Sequence, residues 1–81
     1  MATTVRPLSE QKVLSIRNDL LDSFINSPRQ SSEDMAAWTR KIASKRRVTR
    51  QQVAGVRAAM ARGSYGTRAT LLRRRRKELA S

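Results

Sequence analysis

The residues of this sequence that could do chemistry are its arginines and lysines, which are concentrated in the second half. Residues 39–81 carry fourteen basic side chains against one acidic side chain, Glu78, a net charge of +13. Residues 1–38 carry four basic and five acidic side chains, a net charge of −1. Like charges packed this densely repel one another unless a polyanion neutralises them. We therefore expect the second half to contact phosphate groups, with release of condensed counterions.

The sequence lacks two of the residue types on which catalysis and metal binding most often depend. The 81 residues include no Cys and no His, which excludes thiolate nucleophiles, imidazole bases and the usual zinc ligand sets. We expect no enzymatic activity, no cofactor and no metal. No apolar run approaches the roughly 20 residues that a membrane-spanning helix needs. We expect an intracellular protein, cytoplasmic or nucleoid-associated, that makes no membrane contact.

A helix-turn-helix pattern covers residues 39–60. This motif joins two helices by a turn of three or four residues, and the second helix reads base edges from its first turns. Small or apolar residues stand where the helices must cross, but the turn lacks the glycine often found there. The crossing positions are Ile42, Ala43, Val48, Val53 and Val56. The predicted DNA-binding residues are Lys45, Arg46, Arg47, Thr49, Arg50, Gln51, Ala54 and Arg57.

Each of these side chains has a chemistry suited to DNA. Arginine reads guanine with two hydrogen bonds, glutamine reads adenine, and an alanine methyl can contact the methyl of thymine. The Thr49 hydroxyl and the free amides at the helix start can hold a phosphate. The alternative is an ordinary helical hairpin with a solvated polar face, because the motif constrains sequence only loosely.

A second basic cluster is predicted to form a phosphate- or RNA-binding segment near the C-terminus. As an arginine-rich helix it could enter the groove of a structured RNA, folding as it binds. As a tail it could lie in a DNA minor groove or on flanking phosphates, or simply be a solvated, charged terminus. We expect it to be only partly ordered when free. Its residues are Arg68, Arg73, Arg74, Arg75, Arg76 and Lys77.

The elements that position these residues are predicted to be helical. The fold class is all-α: a small three-to-four-helix domain with a helix-turn-helix-like pair and a basic C-terminal extension. Residues 1–7 are expected to form a flexible arm, residues 8–63 the helical domain, and residues 64–81 a basic helix or tail. Helices are expected near residues 9–26, 32–46 and 50–62. Thr49 with Gln52 matches a capping box, and Gly63 stands where a helix often ends.

The first helix has a broad apolar face. A stripe at helical spacing consists of Val13, Ile16, Leu20 and Phe24. This face could be buried against the second and third helices. It could instead be a dimer interface that sets two basic halves at a fixed spacing on a palindromic site.

Two aromatic residues of the chain invite competing interpretations. Trp38 lies at helical spacing from Met35 and Ile42, which favours a core position over a platform for base stacking. Tyr65 could bond a phosphate or cover the junction between helices.

The sequence thus predicts a small basic nucleic-acid-binding protein. DNA is the favoured partner, and the favoured role is that of a transcriptional or recombination accessory regulator. One alternative is an RNA-binding protein that uses residues 73–77. Another is a helical adaptor or inhibitor of an acidic protein surface such as that of a polymerase, which would bind with no nucleic acid present.

Overall fold

Four α-helices make up the regular structure of residues 8–81, the part of the chain that the computed structural model describes. They are α1 (Glu10–Asn26), α2 (Ser32–Arg46), α3 (Arg50–Ala61) and α4 (Arg68–Ala80). The predicted all-α class is confirmed. The flexible arm expected over residues 1–7 lies outside the described residues. Within residues 8–81, no helix is long and apolar enough to span a bilayer.

Each helix begins at a side chain that caps it. The Ser9 hydroxyl accepts from the backbone N–H of Lys12 at 3.1 Å, and α4 begins in the same way at Thr67. Helix α3 has a full capping box: the Thr49 hydroxyl accepts from the Gln52 N–H at 3.0 Å, and the Gln52 side chain accepts from the Thr49 N–H at 2.9 Å. These reciprocal bonds fix the start of α3 directly after the turn.

The core forms where α1 meets the other three helices, and α2 also packs against α3. Ile16 and Leu20 of α1 are fully buried within the single chain, so neither offers surface to a second copy. Val13 and Phe24 are partly buried. The apolar face of α1 is therefore used inside the monomer, which corrects the dimer-interface alternative at its two central residues. The buried apolar residues are Ile16, Leu20, Leu21, Ile42, Ala43, Val53, Val56, Met60 and Leu71.

The two aromatic residues considered above lie outside this core or at its edge. Trp38 is only half-buried, and the ammonium group of Lys41 lies 5.0 Å from its ring centroid. The prediction that Trp38 is a core residue is wrong, because α2 buries the face that carries Thr39 and Ile42 instead. Tyr65 packs against the core with the guanidinium of Arg17 4.5 Å from its ring centroid. This placement favours the interpretation that Tyr65 covers a helix junction.

Candidate nucleic-acid interface

The turn between α2 and α3 contains three residues, Arg47, Val48 and Thr49. Arg47 adopts the left-handed conformation, with φ 57° and ψ 48°. The Val48 N–H then donates to the carbonyl of Ala43 at 3.0 Å and closes the end of α2. Glycine commonly occupies such a position because it has no Cβ to clash. The glycine missing from the predicted motif is thus replaced by an arginine held in the glycine conformation.

The residues predicted to lie where the two helices cross do so. Ile42 and Ala43 of α2 are buried, as are Val53 and Val56 of α3. Val48 is partly buried against the same cluster. The small side chains allow α2 and α3 to approach closely, as a helix-turn-helix requires.

The exposed face of α3 is nearly smooth. Gln51 lies near its start, followed by Ala54, Gly55 and Ala58, and all but the first are small. A Cβ added at Gly55 would meet nothing within 4 Å, so the glycine faces open space. Because the side chains on this face are short, the α3 backbone can approach another surface closely.

Basic side chains lie on α2, in the turn and at the start of α3. Arg40 and Arg50 line one shallow groove between α2 and α3, and Arg47 is exposed in the turn. The Lys45 ammonium lies 3.7 Å from an Asp19 carboxylate oxygen, yet its side chain remains 62% exposed. We call these four residues, together with Gln51, the turn surface.

Arg46 turns toward α1 although it was predicted to contact DNA with its neighbours. Its Nε and Nη2 donate to the two carboxylate oxygens of Asp19 at 2.6 and 3.0 Å. The hydrogen bond to Asp19 and the charge of that carboxylate raise the pKa of Arg46, against an opposing effect of desolvation. The Nζ of Lys12 also donates to the Arg46 carbonyl at 2.8 Å. Arg46 therefore ties α2 to α1.

Arg57 was predicted to read bases, but its guanidinium is turned toward α2. Nη1 donates to the Thr39 hydroxyl at 2.6 Å and Nη2 to the Met35 carbonyl at 3.3 Å. Its Nε is buried with no hydrogen-bond partner among the described residues. Burial lowers the pKa of Arg57, although a guanidinium remains charged at neutral pH. The Arg57 guanidinium is thus committed to contacts with α2.

Helix α4 orders the C-terminal arginine run, which was expected to be only partly ordered. Arg75 turns inward, and its Nε and Nη2 donate to the carboxylate of Asp22 on α1 at 2.6 and 2.9 Å. Its Nη1 lies 3.2 Å from a Glu78 oxygen. The hydrogen bond to Asp22 is the main cause of a raised pKa at Arg75. The other four members of the run are exposed: Arg73, Arg74, Arg76 and Lys77.

Arg68, at the first position of α4, lines a pocket of about 450 Å³. Its guanidinium is 4.2 Å from the ring centroid of Phe24. The pocket has an apolar floor that includes Met60 and Leu71. Arg68 is therefore placed apart from the exposed cations farther along α4.

Sequence reasoning missed four contributors to this arrangement. Arg40 stands mid-helix in α2, and its position beside Arg50 depends on how the two helices cross. The openness at Gly55 likewise depends on tertiary packing, although a glycine inside a helix is a signal by itself. Asp19 and Asp22 form ion pairs with Arg46 and Arg75, respectively. No local sequence pattern predicts these long-range pairs.

The acidic residues leave the two exposed basic clusters largely uncompensated. Asp19 pairs with Arg46 and Asp22 with Arg75. Glu33 and Asp34 lie in the first turn of α2, at the opposite end of that helix from the turn. Residues 8–81 contain no group of three or more acidic side chains that could hold a metal ion. No family model, curated protein or solved structure matches this chain.

Proposed function

We propose that this protein binds duplex DNA by placing the exposed face of α3 in the major groove. The observation that carries the proposal is the smooth face of α3 beside the turn surface. A major groove about 12 Å wide admits a helix, and small residues let the helix axis approach the base edges. Arg40, Lys45 and Arg47 of the turn surface then contact the phosphates on the groove walls.

Each exposed residue at the start of α3 has a role in this proposal. Arg50 and Gln51 are the residues that read bases, because both are exposed in the first turn. Ala54 supplies an apolar contact to thymine. Arg40, Lys45 and Arg47 supply affinity that falls as salt rises. Arg46 and Arg57 are assigned to the fold rather than to DNA. A regulatory role in transcription or recombination accords with such a unit.

The test uses Gly55, where a side chain can be added without disturbing the fold. Gly55→Leu projects a bulky group from the face of α3 into open space, and leucine favours a helix over glycine by up to about 0.8 kcal/mol. We expect the variant to be at least as stable as the wild type. Its affinity for the preferred duplex should fall at least about tenfold, the equivalent of about 1.4 kcal/mol.

The preferred duplex is first selected from a randomised pool with the wild-type protein, and affinities are then measured by fluorescence anisotropy. Ala37→Leu is the matched control, because Ala37 is an exposed helical residue beside Trp38 and Lys41, away from the groove with Arg50. It should bind like the wild type. If Gly55→Leu is folded and binds equally well, α3 does not enter the groove. A wild-type protein that binds no duplex at low salt rules out the proposed function.

A further inference from the structure

Helix α4 presents a second cationic surface that the proposed DNA contact of α3 does not use. At about 100° per residue, its inward side carries Leu71 and Arg75, its outward side carries Arg73, Arg76 and Lys77, and Arg74 lies at the flank. None of the four forms an ion pair within residues 8–81. We call them the α4 surface: Arg73, Arg74, Arg76 and Lys77.

Contacts along α1 locate the side on which α2 packs. Lys12 donates to the Arg46 carbonyl and Asp19 pairs with the Arg46 guanidinium. These two α1 residues are seven apart, so they lie within about 20° of each other around the helix axis. Helix α2 therefore packs along the line that they define.

Other contacts place α4 on a different part of α1. Phe24 lies under Arg68 and Asp22 pairs with Arg75, and the buried Leu21 lies between Phe24 and Asp22 around the axis. Phe24 is about 130° and Asp22 about 70° from the α2 line, in opposite directions, so this contact is centred about 150° from that line. The outward cations of α4 lie on the side of α4 away from α1. The α4 surface is thus separated from the side of α1 on which α2 packs.

We propose that the protein bridges two duplex DNA segments, with one on the α3 face and turn surface and the other on the α4 surface. This inference rests on the proposed function and names a second partner for the molecule. Because the inward side of α4 packs on α1, we expect a straight duplex held against α3 to leave Arg73, Arg76 and Lys77 exposed. The uncompensated charge there attracts a second phosphate backbone, with release of counterions.

The composition of α4 favours a duplex as its partner. The helix contains no aromatic residue, so it offers no platform on which unpaired bases could stack. Its outward cations can contact phosphates without reading sequence. The second segment is therefore expected to bind with no sequence preference.

The experiment measures capture of a second duplex by a protein bound to the first. The selected site is immobilised, full-length protein is added at low occupancy, and a labelled duplex of unrelated sequence is supplied. We expect the wild type to retain the labelled duplex, and mass photometry to show one protein with two duplexes. The triple variant Arg73→Gln, Arg76→Gln, Lys77→Gln should reduce capture at least about tenfold because three phosphate contacts are lost. Its affinity for the selected site should change much less.

A charge-matched control separates the α4 surface from net charge. It removes two exposed cations that belong to neither surface, Arg29→Gln and Lys41→Gln, and is compared with the double variant Arg73→Gln, Lys77→Gln. This control should still capture the second duplex, and equal loss in the two double variants contradicts the inference. A wild type that binds the selected site but never a second duplex also overturns bridging while leaving the proposed function intact. Displacement of only the second duplex by an RNA hairpin assigns the α4 surface to RNA instead. Failure to bind even the first duplex overturns both proposals.

Discussion

Replacing Arg47 with glycine should stabilise the protein, because Arg47 holds the left-handed conformation with φ 57°. For a residue with a Cβ this conformation costs roughly 1–2 kcal/mol. Glycine avoids the cost but loses about 0.4–1 kcal/mol through the greater freedom of its unfolded chain. The difference favours glycine over alanine at this position by about 1 kcal/mol.

The comparison with alanine isolates this conformational effect. Arg47→Gly and Arg47→Ala remove the same charge and the same long side chain, and both keep the backbone N–H groups that close α2. Only the Cβ differs. Arg40 provides the matched control, because it is an exposed arginine within α2. There alanine should be more stable than glycine by about 1 kcal/mol, the ordinary helix preference.

Urea unfolding followed by far-ultraviolet circular dichroism measures all four variants. The glycine-minus-alanine difference should have opposite signs at Arg47 and Arg40, and thermal midpoints should move by about 4–8 °C for each kcal/mol. If glycine is no better than alanine at Arg47, the residue is not left-handed in solution. The three-residue turn that sets α3 against α2 would then need a different geometry.

Two further outcomes test arginines assigned to the fold. Arg57→Met should change the free energy of unfolding by less than about 1.5 kcal/mol, since it loses two hydrogen bonds but no longer buries the unpartnered Nε. Arg50→Met removes the same charge, and in anisotropy titrations it should weaken binding to the selected duplex far more than Arg57→Met does. Equal losses of affinity in the two variants would mean that Arg57 also contacts DNA. Asp22→Asn should weaken the attachment of α4 by about 1–2 kcal/mol, between the values for exposed and buried ion pairs, which hydrogen exchange would detect as faster exchange in α4 than in α3. Uniform acceleration in both helices would mean that α4 does not open separately.

The helix starts could be predicted from the sequence because each depends on side chains within one turn. Thr49 and Gln52 satisfy each other's backbone N–H groups, and their spacing alone reveals the cap. The crossing residues of α2 and α3 could be predicted for a similar reason, since helical spacing places Ile42, Val53 and Val56 on facing sides. Local chemistry was sufficient for the scaffold of the candidate site.

The division of the arginines could not be predicted in this way. Arg46, Arg57 and Arg75 bind partners that lie 27, 18 and 53 residues away, and their own sequence surroundings resemble those of the exposed arginines. The prediction for Trp38 was wrong for a related reason. Its spacing fits a core position, but the packing of α2 places it at the edge of the core. Which member of a basic run faces inward is decided by tertiary contacts.

Those tertiary contacts also explain how a near-neutral first half supports a basic second half. α1 provides Asp19 and Asp22, and each takes one arginine from a different basic element with a bidentate pair. A bidentate pair restrains the orientation of the guanidinium as well as its position. One inward arginine on α2 and one on α4 therefore fix the rotation of their helices, and the cations beside them are turned outward. The main effect of Asp19 and Asp22 is therefore to orient α2 and α4 rather than to neutralise the charge of the basic half.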